Sequence, residues 1–474
     1  MDLPSVGSII EKSSDDHIER IRRLIRQPSV SAEGRGIREM AALVGSEMEA
    51  AGCSSTEVVE TKGHPIVFGR LDAGARNTLL IYMMYDTQPV EGEVWSSPPF
   101  EAALVERAPW GRIVVGRGAI NTKGPMGAFF SMLHAVREAG ERPPVNLLIV
   151  AEGEEELGSP HLPDFVRARA DELRAADAVF YPGAAQDVKG HVKLFLGNKG
   201  IVYLELEASG ASWGRGPLEF DIHSANKAWI DSPAWRLVHA LASMTGTDGN
   251  TIRVEGLDAG LQPPSEDDAQ LVAYLATTFD PDVIRQQNRV ERFIDDLEGE
   301  ALLRRFLFST TLNIDGIFGG YMGEGTKTVL PHRATAKMDI RLVPEQTPEG
   351  VVRALRAHLE RHGFSDIAVR IHDAYPWSKT SLGSPIAQAV LDAYRAAGVP
   401  HEIWPHAGGS LPMYLFTGPP LSKAAVSGGL GHGARAHAPD EYMVLDGGGG
   451  VAGLVGQELS YLSVLANFAA RAGK

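Results

Sequence analysis

The sequence predicts an α/β protein built from a mixed-sheet domain that is interrupted by a smaller α+β insertion. Three features predict it. Two short apolar runs, 77–82 (NTLLIY) and 145–151 (VNLLIVA), flank a helical stretch at 126–138. Strand, helix and strand at these intervals make a parallel unit with strands covered on both faces. Near residue 197 the pattern changes, and 201–208 (IVYLELEA) alternates apolar and polar residues, as a strand with one wet face does. From Ser384 the helical period returns and runs into the C-terminal tail.

Taken in order, 15–26 (DDHIERIRRLIR) places Ile18, Ile21, Leu24 and Ile25 on one helical face. The run at 77–82 follows a Gly/Asn turn. The helix at 126–138 stops at Gly140, and Pro143-Pro144 leads into the second apolar run. Beyond 201–208 come a helix, a polar stretch around 244–270, and the segments 328–343 (TVLPHRATAKMDIRLV) and 366–372 (DIAVRIH). At the return, Ser384 can cap a helix whose first turn suits Pro385, and Ile386, Val390, Leu391 and Tyr394 share a face. The tail at 451–470 is a further apolar helix. The glycines at 447–450 read as a flexible turn, because no strand–GK[ST] context surrounds them. The expected division is 1–196 with 376–474 as one domain and 197–375 as the insertion.

Composition narrows the function. The 474 residues are 44% hydrophobic and 22% charged, which excludes global disorder. The net charge of −15 leaves the chain without the phosphate-neutralising charge that nucleic acid or an anionic membrane requires. Cys53 is the only cysteine, so an intrachain disulfide and a thiolate zinc cluster are excluded. It lies in a polar turn with no base nearby in sequence and is not expected to be a nucleophile. The first residues lack the apolar core of a secretory signal, and no run approaches the roughly 20 apolar residues of a membrane span. The expectation is a cytoplasmic protein with no nucleic-acid or membrane partner.

Four polar clusters stand at element ends. They are Tyr82 to Pro89 (YMMYDTQP), Gly116 to Gly124 (GRGAINTKG), Glu152 to Ser159 (EGEEELGS) and Ala436 to Tyr442 (AHAPDEY). Two of them directly follow the apolar strands, where active sites of α/β sheets lie. In the third, four carboxylates within five residues repel one another, and a nearby cation or a held proton relieves that repulsion. A solvated acidic loop would read the same way from composition alone.

In order and spacing these clusters resemble the co-catalytic zinc metallopeptidases that include aminoacylases, carboxypeptidase G, carnosinase-type dipeptidases and succinyl-diaminopimelate desuccinylase. The carnosinase-like branch is the nearer match. Trp95 to Phe100 (WSSPPF), Asp221-Ile222-His223-Ser224, Asn313-Ile314-Asp315-Gly316, Arg341-Leu342-Val343-Pro344 and Gly408-Gly409-Ser410-Leu411-Pro412 extend the resemblance over nearly the whole chain. It implies a phosphorylase/hydrolase-like catalytic domain with a ferredoxin-like lid and dimerisation domain, and a homodimer acting on a small substrate that carries a carboxylate. It places Glu155 as general base, Glu156 and His437 as ligands of the second metal, and Asp86 behind the first metal's histidine. It places His223 as a cross-subunit oxyanion donor. Arg341, Asn313 and the loop Gly408, Gly409 and Ser410 would hold the substrate carboxylate, with His406 beside them. A planar guanidinium suits that task because it grips two oxygens at once.

Three metal positions depart from the pattern. Met84 stands where the first metal's histidine belongs, Asn121 where the bridging carboxylate belongs, and Phe180-Tyr181-Pro182-Gly183 lacks the remaining acid. A thioether is a weak zinc ligand, and a neutral amide cannot offset two dications. An ordinary two-metal centre is therefore not expected. What remains is one zinc or manganese on Glu156 and His437 with Asn121 as a neutral donor, unless Glu152, Glu154 or His432 adds a ligand. A metal-free enzyme, with Glu155 as base and Lys123 or His223 as its positive partner, and a non-catalytic ligand-binding protein stay open beside the amide hydrolase. Met84 is expected to fill apolar space, and His332, His362 and His401 to be ordinary surface residues.

Overall fold

The computed structural model describes residues 1–258 and 261–472. The chain forms two compact units. One comprises Met1–Gly197, Lys379–Trp404 and Leu415–Lys474; the other comprises Asn198–Ser378 and Pro405–Tyr414. The short segment 405–414, which the sequence division left with the first domain, thus belongs with the second unit. Among the described residues no helix is long and apolar enough to cross a membrane.

The first unit is organised by a six-stranded mixed sheet in the order Ser55–Val59, Ile66–Leu71, Asn146–Glu152, Thr78–Met84, Ala178–Pro182, Ala425–Gly428. The last four strands run parallel, and the first two are antiparallel additions at one edge. Both expected apolar runs are central strands, buried at every residue but the first, which is why they lack alternation. Each extends further than its apolar run, to Met84 and to Glu152, and these two residues pair across the ladder. Pro182 and Gly428 likewise pair at the ends of their strands. Four strands therefore deliver their carboxyl ends to one side of the sheet.

The helix Lys123–Glu138 begins three residues before the apolar pattern does, because Pro125 fits a first turn, where its missing N–H is not needed. It packs with Ser14–Arg26 and with Leu454–Ala472, and the latter packs with Pro385–Ala396. Ser384 caps that last helix by accepting the N–H of Ala387. A second sheet, not anticipated from sequence, joins Ala103–Arg107, Gly111–Val115, Tyr442–Val444 and Gly433–Ala434 in antiparallel order. Tyr442 pairs with Val115, so the residue before one strand and the loop after the other meet side by side.

The second unit is built on a four-stranded antiparallel sheet in the order Thr311–Phe318, Arg333–Leu342, Gly200–Ser209, Ala368–Tyr375. The alternation read in 201–208 is real: Val202, Leu204, Leu206 and Ala208 are buried, and their neighbours in the strand are half-buried. Their face packs against Pro233–Met244 and Pro348–Arg361. Glu266–Thr278, Pro281–Asn288 and Gly299–Phe308 are helices within or beyond the stretch read only as polar. Glu266, Asp267 and Asp268 make that stretch look polar, yet acids belong in a helix's first turn, and Ser265 caps it by accepting the N–H of Asp268. Leu204 lies on the buried face of the central strand, so Leu204→Ala should destabilise this unit by about 2–5 kcal/mol. A shifted urea midpoint would show it, and an unchanged midpoint would contradict the core described here.

Candidate active site

The acidic cluster is positioned by backbone hydrogen bonds. Asp86 is fully buried two residues beyond the end of Thr78–Met84. Its two carboxylate oxygens accept the backbone N–H groups of Glu155 at 3.2 Å and Glu156 at 3.0 Å. This fixes the single 3-10 turn Glu155–Leu157 at the end of the neighbouring strand. Burial, with Glu156 close by, pushes Asp86 up to about 7. Burial also drives the Glu155 carboxyl well above its ordinary value, with Glu156, Asp86 and Glu152 adding to the shift. The repulsion inferred from the sequence is therefore present in the fold.

The other candidate ligands are committed elsewhere. Glu152 accepts the Tyr82 hydroxyl at 2.5 Å and the Ser159 hydroxyl at 2.9 Å, and burial raises it to about 8. Glu154 pairs with His161 Nδ1 at 2.8 Å. His432 is buried with Nδ1 on the Gln186 carbonyl and Nε2 against the Tyr442 hydroxyl. Lys123 is buried with its ammonium on the Gln27 carbonyl at 2.5 Å, and burial lowers it to about 7. The Cys53 thiol is pushed up to about 12 by burial, as befits an inert residue.

Three of the expected residues do come together. Asn121 Nδ2 donates to Glu156 Oε1 at 2.7 Å, His437 Nε2 lies 3.2 Å from the same oxygen, and the two nitrogens are 2.9 Å apart. Gln88 Nε2 donates to the other oxygen of Glu156 at 2.8 Å. The hydrogen bond to Glu156 raises the pKa of His437. His437 Nε2 can either accept from Asn121 or donate to Glu156, but not both, so at most two sides of this triangle are hydrogen bonds at once. Met84 is buried, and its backbone carbonyl accepts the Thr122 hydroxyl at 3.0 Å. Pro182 offers no donor atom from its ring.

The residues present do not fit a two-ion centre: Met84 offers a thioether, Pro182 a ring without a donor atom, and Asn121 a neutral amide. Glu156 and His437 would be the charged and imidazole ligands available to a single cation, with the Asn121 amide beside them.

One carboxylate holds this arrangement in place. Glu441 is fully buried and accepts N–H groups from Gly118 at 3.1 Å, Ile120 at 3.0 Å and Asn121 at 2.9 Å. Arg117, also buried, donates to Glu441 at 3.1 Å and to Glu93 at 2.8 Å, and stands over the Trp95 ring. Asp440 accepts from the Ser96 N–H and hydroxyl, both at 2.8 Å. The WSSPPF, GRGAINTKG and AHAPDEY segments are thus one network. Glu441, Arg117 and Glu93 were not among the expected site residues. The signal for them was a second acid just after a motif histidine, beside an arginine in a glycine loop.

In the second unit a cavity of about 500 Å³ is lined by Lys199, Arg305, Asn313, Asp339, Arg341 and Gly408 among others. Arg341 donates to Asp339 at 3.1 Å and to the Ser410 hydroxyl at 2.8 Å, and Asn313 donates to Asp339 at 3.1 Å. Lys199 is buried, donates to the Ser309 carbonyl at 2.8 Å, and is lowered to about 8 by burial and by Arg341 and Arg305. Three cations against one carboxylate make the cavity suited to an anionic group. Gly408 cannot carry a side chain, since a Cβ there would lie 2.5 Å from the Phe306 ring. The Gly409 carbonyl accepts the Lys199 N–H. His406 is buried edge-on to Phe308. His223 is exposed, and its Nδ1 accepts the Ala225 N–H at 3.1 Å, which leaves the hydrogen of the neutral ring on Nε2, beside Thr328.

Comparison with known proteins gives these arrangements a family. Residues 80–447 match peptidase family M20/M25/M40. The chain is 29% identical over 384 residues to the Cys-Gly metallodipeptidase dug1 of Schizosaccharomyces pombe, covering 76% of each chain. It is 29% identical over 330 residues to the Beta-Ala-His dipeptidase of Rattus norvegicus, covering 68% of this chain and 64% of that one. Its structure superposes on the M20 family metallo-carboxypeptidase Sso-CP2 from Sulfolobus solfataricus with a TM-score of 0.85 and 29% identity, over 96% of this chain and 99% of that one. The chain therefore belongs to peptidase family M20/M25/M40, a family of metal-dependent amide hydrolases.

Because Glu441 collects three backbone donors and a buried guanidinium, Glu441→Ala should cost roughly 3–5 kcal/mol. Thermal unfolding would measure it. A melting temperature equal to the parent's would show that the loop is held by other contacts.

Proposed function

We propose that the chain hydrolyses an amide bond in a dipeptide-like or N-acyl amino acid substrate, using a reduced centre with at most one zinc or manganese. The observation that carries this reading is Glu155, held by Asp86 beside the Glu156–His437–Asn121 triangle, while the first-metal positions are Met84 and Pro182. Glu156, His437 and Asn121 would hold the ion. When bound, it would supply Lewis acidity toward the scissile carbonyl.

Glu155 takes a proton from the attacking water and returns it to the leaving amine, so the proton count closes over the cycle. His223, with its hydrogen on Nε2, donates to the oxyanion. Arg341 and Asn313, with the Gly408, Gly409 and Ser410 loop, hold the substrate carboxylate, and His406 braces that loop. The Lys123 ammonium, committed to the Gln27 carbonyl, is a poor partner for metal-free chemistry. Cys-Gly and β-Ala-His, the substrates printed in the names of the relatives above, are the first dipeptides to assay. Glu155→Gln should abolish turnover while leaving the chain folded, and full activity in that variant would refute the assignment. A parent protein that binds these dipeptides by calorimetry without cleaving them would instead identify a ligand-binding homologue.

Residues 197–375 would act as lid and dimerisation domain of a homodimer. Around His223, Leu218, Phe220, Trp229 and Trp235 are exposed, Trp229 to 80%, and an apolar patch of this kind suits burial against a second copy. The lone, disulfide-free Cys53 suits the cytoplasm. Light scattering should give a dimer, and Trp229→Glu a monomer; a monomeric parent would remove both the dimer and the cross-subunit role of His223.

A further inference from the structure

We propose that the inserted unit carries a separate zinc site formed by Glu255, His358 and His362. Their ligand atoms all lie within 4.8 Å of one another. His358 is on the helix Pro348–Arg361 and His362 caps its carboxyl end, so the spacing of four residues puts both rings on one face. Glu255 reaches them from a segment pinned by buried Val254 and Leu257, and by the Gln346 side-chain N–H on the Leu257 carbonyl.

The hydrogen-bond directions are what call for a cation. The Ser243 hydroxyl donates to the Ala240 carbonyl at 2.7 Å, so its oxygen can only accept from His358 Nε2 at 3.0 Å. The hydrogen of a neutral His358 is thereby placed on Nε2, and Nδ1 turns its lone pair toward Glu255 Oε2 at 2.5 Å. Two lone pairs at that distance repel unless a proton or a metal ion lies between them. His362 Nε2 lies 3.0 Å from the other oxygen of Glu255, and the two rings have centroids 4.2 Å apart. A neutral His362 with its hydrogen on Nε2 donates to that oxygen, so the unsatisfied contact is the one between Glu255 Oε2 and Nδ1 of the fully buried His358 ring. A divalent ion between them leaves both rings neutral, with Arg361 Nη1, 3.3 Å from Glu255, the cation it competes with.

Two imidazoles and a carboxylate are a zinc donor set, with a fourth position open to water because Glu255 and His362 are exposed. A tetrahedral shell separates its ligand atoms by about 3.3 Å, so Glu255 has to retreat by less than 1 Å, approximately, from His358. The bound ion would tie the segment around Glu255 to the end of the helix. It would also give the protein zinc that has nothing to do with Glu156 and His437.

The test uses the full-length, untagged chain, loaded with a slight excess of zinc chloride, desalted without chelator and analysed by plasma mass spectrometry. The Glu156→Ala/His437→Ala double variant should still hold one zinc per chain. Adding His362→Ala, or separately Glu255→Gln, to that double variant should remove it, with circular dichroism confirming that the chains are folded. Ser243→Ala, which touches no ligand atom of the ion, should weaken zinc binding by roughly 10–100-fold in a competition titration. A double variant that retains no zinc, or zinc that survives both His362→Ala and Glu255→Gln, would overturn the proposal.

Discussion

A buried carboxylate with no bulk water to solvate it must find its hydrogen bonds in the protein. Glu441 finds them in the backbone of the loop that carries Asn121. The loop is short, glycine-containing and lies past the end of a strand, and its other holds include the Arg117 N–H on the Pro99 carbonyl and the Arg117 guanidinium on Glu93. By collecting its N–H groups, Glu441 fixes where Asn121 points, and Asn121 in turn fixes the triangle with Glu156 and His437. Asp86 does the same for the acidic turn from the other side. The acidic turn and the Asn121 loop are thus placed by main-chain donors on two buried acids, and each acid sits beside a strand whose register is set by the sheet.

That division of labour separates the framework from the side chains at the sheet's end. Met84 and Pro182 end their strands, and Asn121 sits in the loop that Glu441 holds. The framework is the two acids Asp86 and Glu441 with the strands beneath them. Asn121 in its turn donates a hydrogen bond to Glu156.

Much of this was legible in the sequence, for physical reasons. Parallel strands covered on both faces are continuously apolar, so 77–82 and 145–151 stood out. The alternation of 201–208 identified a one-faced strand. Glu155, Glu156, Asn121 and His437 were singled out through the family resemblance, and the last three meet. Other features were hidden. Short strands such as Gly433–Ala434 carry too few residues to show a period. The helix Glu266–Thr278 was masked by the acids that suit its first turn. Lys199, Arg305 and Asp339 converge only through the sheet of the second unit. His362, read as an ordinary surface residue, is exposed, and the Glu255 beside it lies about a hundred residues away in sequence.

The backbone at His437 has a positive φ of 61°, as do Arg435 and Asp440 on either side of it. L-residues with side chains avoid that region, and each such residue costs on the order of 1–3 kcal/mol that the rest of the fold must offset. Glycine would occupy the same conformations without penalty. The stretch that presents the imidazole is therefore less stable than it could be, and a chain shaped by folding alone would drift there toward glycine. The imidazole of His437 is thus held out at a stability cost that its hydrogen-bonding neighbours Asn121 and Glu156 help to offset.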